Sequence, residues 1–171
     1  MNKKVKQWLF FAAGLLVSIG FDQWTKQLVT AKLKGNAPFV IWDGVFELYY
    51  SENRGAAFGI MQGKQFFFFL IAAAVIIMAG WLLYKMPAEK KYLPLTGCLF
   101  LLVSGAAGNL IDRLSQGYVV DFLYFKLIDF PIFNVADCYV VVSTALLMIL
   151  FFFYYSEEDL SFLSSKKKGE V

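Results

Sequence analysis

Four stretches of the chain carry no charged residue: Trp8–Phe21, Phe66–Tyr84, Tyr92–Ile111 and Cys138–Ser156. The last three run to about 19–20 residues, the length at which an α-helix crosses the ~30 Å hydrocarbon core of a bilayer. Lipid supplies no hydrogen-bond partner, so a segment that spans it must satisfy its own backbone, and isolated segments do so as helices. The first run is shorter, but a helix can continue through Gln23, Trp24 and Thr25 towards the interface. At 59% hydrophobic residues, against roughly 45–50% in soluble domains, the chain has the composition these spans require. Its 171 residues are read as one α-helical membrane domain, 1–171, with four transmembrane helices at about 7–28, 65–84, 92–113 and 137–156. Lys3, Lys4 and Lys6 resemble the basic start of a cleaved leader. However, Asp22-Gln23-Trp24 is a poor small-residue cleavage site and three spans follow, so the first run is expected to stay as an anchor.

Basic residues set the expected orientation. Nine of the sixteen lie at the N-terminus (Lys3, Lys4, Lys6), between spans two and three (Lys85, Lys90, Lys91) and at the C-terminus (Lys166, Lys167, Lys168). The other seven (Lys26, Lys32, Lys34, Arg54, Lys64, Arg113, Lys126) fall on the opposite side of a four-span arrangement. Charge in short flanks is retained inside, so both termini are expected in the cytoplasm. A net charge of +3 gives no reason to expect nucleic acid. Cys98 and Cys138 lie in or beside apolar runs, which argues against a disulfide framework. With no histidine in the chain, a zinc site is not expected, and no metal or other cofactor is called for.

Between spans one and two, Phe39-Val40-Ile41-Trp42 and Val45-Phe46-Glu47-Leu48-Tyr49-Tyr50 flank Asp43-Gly44, a hairpin signature. The extracytoplasmic β segment is expected over about residues 38–60. Its aromatic strands suit an amphipathic sheet on the lipid headgroups, although a small exposed hairpin without a role has the same signature. Asn53-Arg54-Gly55-Ala56-Ala57-Phe58-Gly59 follows, with small residues that permit close backbone approach.

Aspartates carry the functional signal. Asp22, Asp112, Asp121, Asp129 and Asp137 fall at the ends of the apolar runs or in the link between the last two. A carboxylate in the bilayer centre costs roughly 2.5–3.5 kcal/mol on insertion scales, so such groups serve a function or sit near the interface. Asp22 and Lys26, four apart, share a helix face and can pair, fixing the end of span one. Asn109, Asp112 and Arg113 are spaced i, i+3, i+4 and are expected on one side of the last turn of span three, a polar group richer than helix capping requires. Gly105–Gly108 allow close helix packing there. Asp121 stands in an extended β-branched stretch. Asn134 can cap span four with Asp137 at N3; alternatively, Asp121 and Asp137 face each other across the mouth of spans three and four. Two carboxylates in a partly dry site share one proton, so one can activate water while the other polarises a carbonyl and then protonates a leaving amine. A proton- or cation-handling transporter is the alternative. It would place acids near mid-span, and a structural membrane subunit would not need the Asn109/Asp112/Arg113 group.

Five ordered blocks carry a family resemblance over Lys6 to about Tyr155: Asp22-Gln23-Trp24-Thr25-Lys26; Asn53-Arg54-Gly55-Ala56-Ala57-Phe58; Gly108-Asn109-Leu110-Ile111-Asp112-Arg113; Val119-Val120-Asp121-Phe122; and Phe133-Asn134-Val135-Ala136-Asp137. The chain resembles the lipoprotein signal peptidases, or signal peptidase II family. The resemblance implies an intramembrane aspartic endopeptidase that cuts diacylglyceryl-modified prolipoproteins just before the lipidated cysteine. It implies Asp121 and Asp137 as the catalytic dyad. Asn53, Arg54, Asn109, Asp112, Arg113 and Asn134 are implied to bind substrate or orient the dyad, and Asp22 and Lys26 to support the site. It further implies a monomer in the bacterial cytoplasmic membrane that meets membrane lipids. Its active site would lie near the extracytoplasmic face and be open to globomycin-type cyclic peptide inhibitors.

Overall fold

A computed structural model describes residues 1–55 and 65–163. Four long helices carry the chain back and forth: α1 (Lys3–Leu33), α2 (Gln65–Lys85), α3 (Leu93–Gln116) and α4 (Val135–Ile149), the last running on as a π-helical turn over Leu150–Tyr154. All four are long and apolar enough to cross a membrane. Their outward apolar side chains, among them Leu16, Val17, Ile77, Phe152 and Phe153, are exposed, as a lipid-facing surface requires. Three strands, β1 (Phe39–Trp42), β2 (Phe46–Asn53) and β3 (Val119–Tyr124), form an antiparallel sheet in the order β1-β2-β3.

The helix limits follow local chemistry. Asn2 caps α1 by accepting from the Lys4 N–H at 2.9 Å. Pro94 stands at the start of α3, where its missing N–H costs nothing. Gly117 ends α3 with φ +81°, the left-handed turn that releases the chain into β3. α1 does not stop near residue 28: it runs to Leu33, because Gln27, Ala31, Lys32 and Leu33 are good helix formers beyond the apolar run. Asp22 and Lys26 therefore lie inside a helix and not at its end. The span-two, -three and -four helices likewise begin or end within a few residues of the apolar runs.

The hairpin turns at Asp43-Gly44, with Gly44 at φ +69°. Phe39, Val40, Ile41 and Trp42 are all exposed. A third strand completes the sheet: β3 pairs with β2 so that Ser51 stands opposite Asp121 and Asn53 opposite Val119. A register irregularity between Leu48 and Ser51 re-aims the end of β2. After β3 the chain turns back, and the Phe122 and Leu123 N–H groups both donate to the Phe133 carbonyl at 2.9 and 2.8 Å, which brings Asn134 beside Asp121. Asp129 serves that turn. It adopts φ +47° and accepts from the Tyr124 hydroxyl at 2.6 Å, on the exposed surface and apart from the other four acids. Ala56, Ala57, Phe58 and Gly59 lie outside the described residues.

The two ends of the bundle differ. At the end away from the sheet, Leu83, Leu95, Leu99, Tyr92 and Tyr155 form an apolar core. There the Lys4 ammonium donates to the Leu83 and Met86 carbonyls at 2.6 and 2.5 Å, and Lys91 pairs with Asp159 at 2.6 Å. The N-terminus, the α2–α3 link and the segment after α4 thus meet at one end. At the sheet end the interior is polar. Gly105 and Gly108 permit this: a Cβ at Gly105 would come within 2.5 Å of the Ala136 carbonyl, and one at Gly108 within 2.5 Å of Asp22 Oδ2. Small residues let α3 lie directly against α4 and against the α1 carboxylate.

Candidate active site

The deepest layer of the polar cluster is ionic. Lys26 Nζ lies 2.9 Å from Asp22 Oδ2 and 3.1 Å from Asp112 Oδ2. Asp22, Lys26 and Asp112 are 0%, 3% and 3% exposed. Each carboxylate has further partners. Asp22 Oδ1 accepts from the Ala136 N–H at 2.9 Å, in the first turn of α4. Asp112 accepts from the Val120 N–H at 3.1 Å and from Gln23 Nε2 at 2.9 Å. One ammonium and two carboxylates thereby join α1, α3, the start of α4 and β3. A buried ion group is tolerated when its remaining sites are filled in this way.

The second layer is a pair of amides. Asn109 Oδ1 accepts from Lys26 Nζ at 2.9 Å and from Asn134 Nδ2 at 3.1 Å. Its Nδ2 is left facing outward and donates to Asp137 Oδ1 at 2.8 Å. Asn134, fully buried, closes a capping box on α4. Its Oδ1 accepts from the Asp137 N–H at 3.0 Å, and its own N–H donates to Asp137 Oδ2 at 3.1 Å. Its Nδ2 also donates to Asp121 Oδ1 at 2.6 Å. Asn134 is thus the helix cap the sequence offered and also a partner of Asp121. Asn53 Nδ2 donates to the other Asp121 oxygen at 2.8 Å.

The third layer is the pair Asp121 and Asp137, which both line a cavity of about 880 Å³, within the range of ligand sites. Asn53, Arg54, Asn109 and Arg113 also line it. Burial, and next the charge of Asp137, push the Asp121 carboxyl up from its ordinary 3.8 to about 7, while its bonds to Asn53 and Asn134 pull the other way.

Asn109 shares Lys26 with Asp112 and the cavity with Arg113, but Asp112 and Arg113 part from one another. Successive residues of an α-helix are about 100° apart, so Asp112 turns to Lys26 on α1. Arg113 turns to the cavity, donating to the Gly55 carbonyl at 3.0 Å with its guanidinium 4.3 Å from the Phe68 ring centre. Asn109 points between them. The Asp22–Lys26 pair, expected to fix the end of a span, is the base of the site. Sequence reasoning gave no role to Gln23, which bridges Asp22, Asp112 and the Gly108 carbonyl; an amide between two charges on an apolar helix was its available signal. It also gave none to Phe130–Phe133 or Cys138, which line the cavity. An apolar tetrapeptide in a link between polar elements is the only trace of the former.

The family described as Signal peptidase (SPase) II matches residues 14–153. The lipoprotein signal peptidase of Streptococcus thermophilus is 42% identical over 132 residues, covering 77% of this chain and 85% of that protein. The one from Halothermothrix orenii is also 42% identical over 132 residues and is covered to 88%. A solved structure described as a bacterial membrane enzyme, determined by the in meso method at 2.3 Å, superposes with a TM-score of 0.72 at 30% identity, over 95% of this chain and 94% of that one. The sheet, the four helices and the matched length agree, and the chain belongs to the signal peptidase II family of membrane peptidases.

Proposed function

We propose that the protein removes signal peptides from lipoproteins as an intramembrane aspartic endopeptidase. It cuts the bond before a diacylglyceryl-modified cysteine, with Asp121 and Asp137 as the dyad. The observation that carries this reading is that two aspartates from different elements, β3 and α4, share Asn134 as a partner and line one cavity. Asp137 takes the base's role. It sits at the N-terminus of α4, where the helix dipole favours negative charge, and accepts from Asn109 and the Asn134 backbone. Asp121, off any helix end, keeps the shared proton.

The steps balance. Asp137 removes a proton from water as the water oxygen bonds to the scissile carbonyl carbon, and Asp121 gives its proton to the carbonyl oxygen. When the tetrahedral intermediate collapses, one hydroxyl proton returns to Asp121, the proton on Asp137 passes to the leaving nitrogen, and the C–N bond breaks. The dyad ends with one proton, as it began. Arg113 and Asn53 border the reacting groups and would hold the substrate backbone. The same cavity would receive cyclic peptide inhibitors. Purified protein should cleave a lipidated signal peptide, and failure to do so would refute the reading.

The reading also fixes a side. A signal peptide that has crossed the membrane meets the dyad from outside, so the sheet end is extracytoplasmic and the termini cytoplasmic. In a variant without native cysteines, Asp43→Cys is expected to react with an impermeant maleimide added to intact cells, and Glu89→Cys only after lysis. The opposite pattern would invert the orientation.

A further inference from the structure

The cavity has two chemically different ends. On α4 its wall continues past Asp137 through Val140, Val141 and Val142, about 5–8 Å further along the helix and into the apolar span. Its lining also takes in Ser51–Gly55, the end of β2 and the two residues after it. Two of these lining residues, Glu52 and Arg54, are charged, and Lys34 joins them from outside the lining. Glu52 accepts from Lys34 Nζ at 3.0 Å, from Arg54 Nη2 at 3.0 Å and from the Tyr50 hydroxyl at 3.1 Å. The Tyr118 ring lies beneath both cations, 5.8 Å from Lys34 Nζ and 5.2 Å from the Arg54 guanidinium.

This cluster holds two cations against one carboxylate, and both cations are accessible, with side chains 50% and 62% exposed. The tyrosines do not balance it: Tyr50 is pushed up to about 12, first by burial, and stays neutral. Among the described residues, the Arg54 side chain makes its hydrogen bond through Nη2 alone. None of this is needed to hold the dyad, whose partners are Asn53, Asn109 and Asn134.

A lipoprotein precursor has the same two-ended character. Its signal peptide and acyl chains are apolar, and the polypeptide beyond the cut is hydrophilic and ends outside the bilayer. Laid across the dyad, it places the apolar portion along α4 and leads the hydrophilic portion out past β2. We infer that Lys34, Glu52 and Arg54 form a subsite for the first residues of the mature polypeptide beyond the lipidated cysteine, and that this subsite favours acidic side chains there. The inference rests on reading the cavity as the peptidase site. Glu52 holds the two cations in place when no substrate is bound, and an incoming carboxylate shares them.

The test is a ratio. Two diacylglyceryl-cysteine peptides with one signal region are prepared, carrying Asp-Asp or Lys-Lys at the second and third positions after the cut bond. The full-length enzyme in neutral detergent is expected to cleave the acidic peptide with a kcat/KM about two- to fivefold higher, the range that exposed ion pairs support. The preference should shrink as salt shortens the screening length. In Lys34→Gln the ratio is expected to approach one, and in Arg54→Gln/Lys34→Gln or Lys34→Glu, each of which leaves one carboxylate in excess, it should fall below one. Because each ratio is taken on a single enzyme preparation, loss of yield or of overall rate cancels. A wild-type ratio of one with both peptides cut would overturn the subsite and leave the peptidase reading standing. A ratio that survives the double substitution would overturn the assignment to these residues. A preference that appears only when anionic lipid is added would assign the cluster to lipid headgroups instead. If neither peptide is cut, the peptidase reading falls and the subsite with it.

Discussion

Asp121→Asn and Asp137→Asn are each expected to lower peptide cleavage by at least about 10⁴-fold, with the protein still folded and able to bind a lipidated peptide. The amide keeps the size of the carboxylate, so the packing around Asn134 survives, but it can neither take a proton from water nor give one to a carbonyl. The double variant should be no worse than the poorer single one, because groups that act as a unit fail together. The pH dependence should follow the same division of labour. Cleavage needs one protonated and one ionised member, so the rate–pH curve is bell-shaped and reports the pair. Its alkaline limb should fall through about pH 7, where Asp121 loses its proton. Stability shifts in the same window: a carboxyl at about 7 when folded and 3.8 when unfolded binds more protons in the native state. Folding is therefore favoured less as pH rises from about 4 to 7, and Asp121→Asn should flatten that slope. Substantial turnover by either single variant, with wild-type contamination excluded, would rule out the dyad and redirect attention to Asp112.

Lys26→Met should destabilise the protein by about 3–5 kcal/mol, the cost of leaving a buried charge without its partner. Here two carboxylates, Asp22 and Asp112, would be left on either side of the lost ammonium, both almost completely buried. Activity should fall as well, by a separate route. Lys26 is one of two donors, with Asn134, that hold Asn109 Oδ1 and so direct the Asn109 amide N–H to Asp137. Removing all three charges together, as Asp22→Asn/Lys26→Met/Asp112→Asn, should recover much of the stability, since a neutral group buried in the same space carries a far smaller desolvation penalty than a charge. It should not recover turnover. Thermal unfolding in detergent, followed beside the cleavage rate, separates the two effects. A Lys26→Met protein as stable as the wild type would show that the ionic layer does not support the fold.

Much of this architecture can be read from the chain because the bilayer simplifies the problem. A run of about 20 uncharged apolar residues has few alternatives to a helix, and Asp-Gly between aromatic β-formers has few alternatives to a hairpin turn. The i, i+4 spacing of Asp22 and Lys26 announces their pairing. What stays hidden depends on distant parts of the chain. The pairing of β3 with β2 joins residues 70 positions apart, Ser51 with Asp121, and no local pattern encodes it. That Lys26 reaches a second carboxylate on α3 depends on how closely the helices approach at Gly105 and Gly108. The separation of Asp112 from Arg113 is, by contrast, a matter of helix geometry that their motif spacing obscures. Asn134 looks like a helix cap and is one; its hydrogen bond to Asp121 exists only because the chain after β3 folds back at Phe133. The transporter alternative drew on buried acids alone, and membership in a peptidase family removes its support.

The central claim is that this cavity hydrolyses one peptide bond, beside a lipidated cysteine, by means of two aspartates. The most direct measurement is mass spectrometry of the products formed when purified enzyme acts on a signal-bearing peptide with diacylglyceryl-cysteine, run in ¹⁸O-labelled water with and without a chelator. The account predicts two products: a signal peptide whose new C-terminal carboxylate carries one ¹⁸O, and a mature fragment that begins with the lipidated cysteine. It predicts the same yield with the chelator, and neither product from Asp121→Asn or Asp137→Asn. Cleavage elsewhere in the peptide, a requirement for added metal, or the same products from either variant would contradict it.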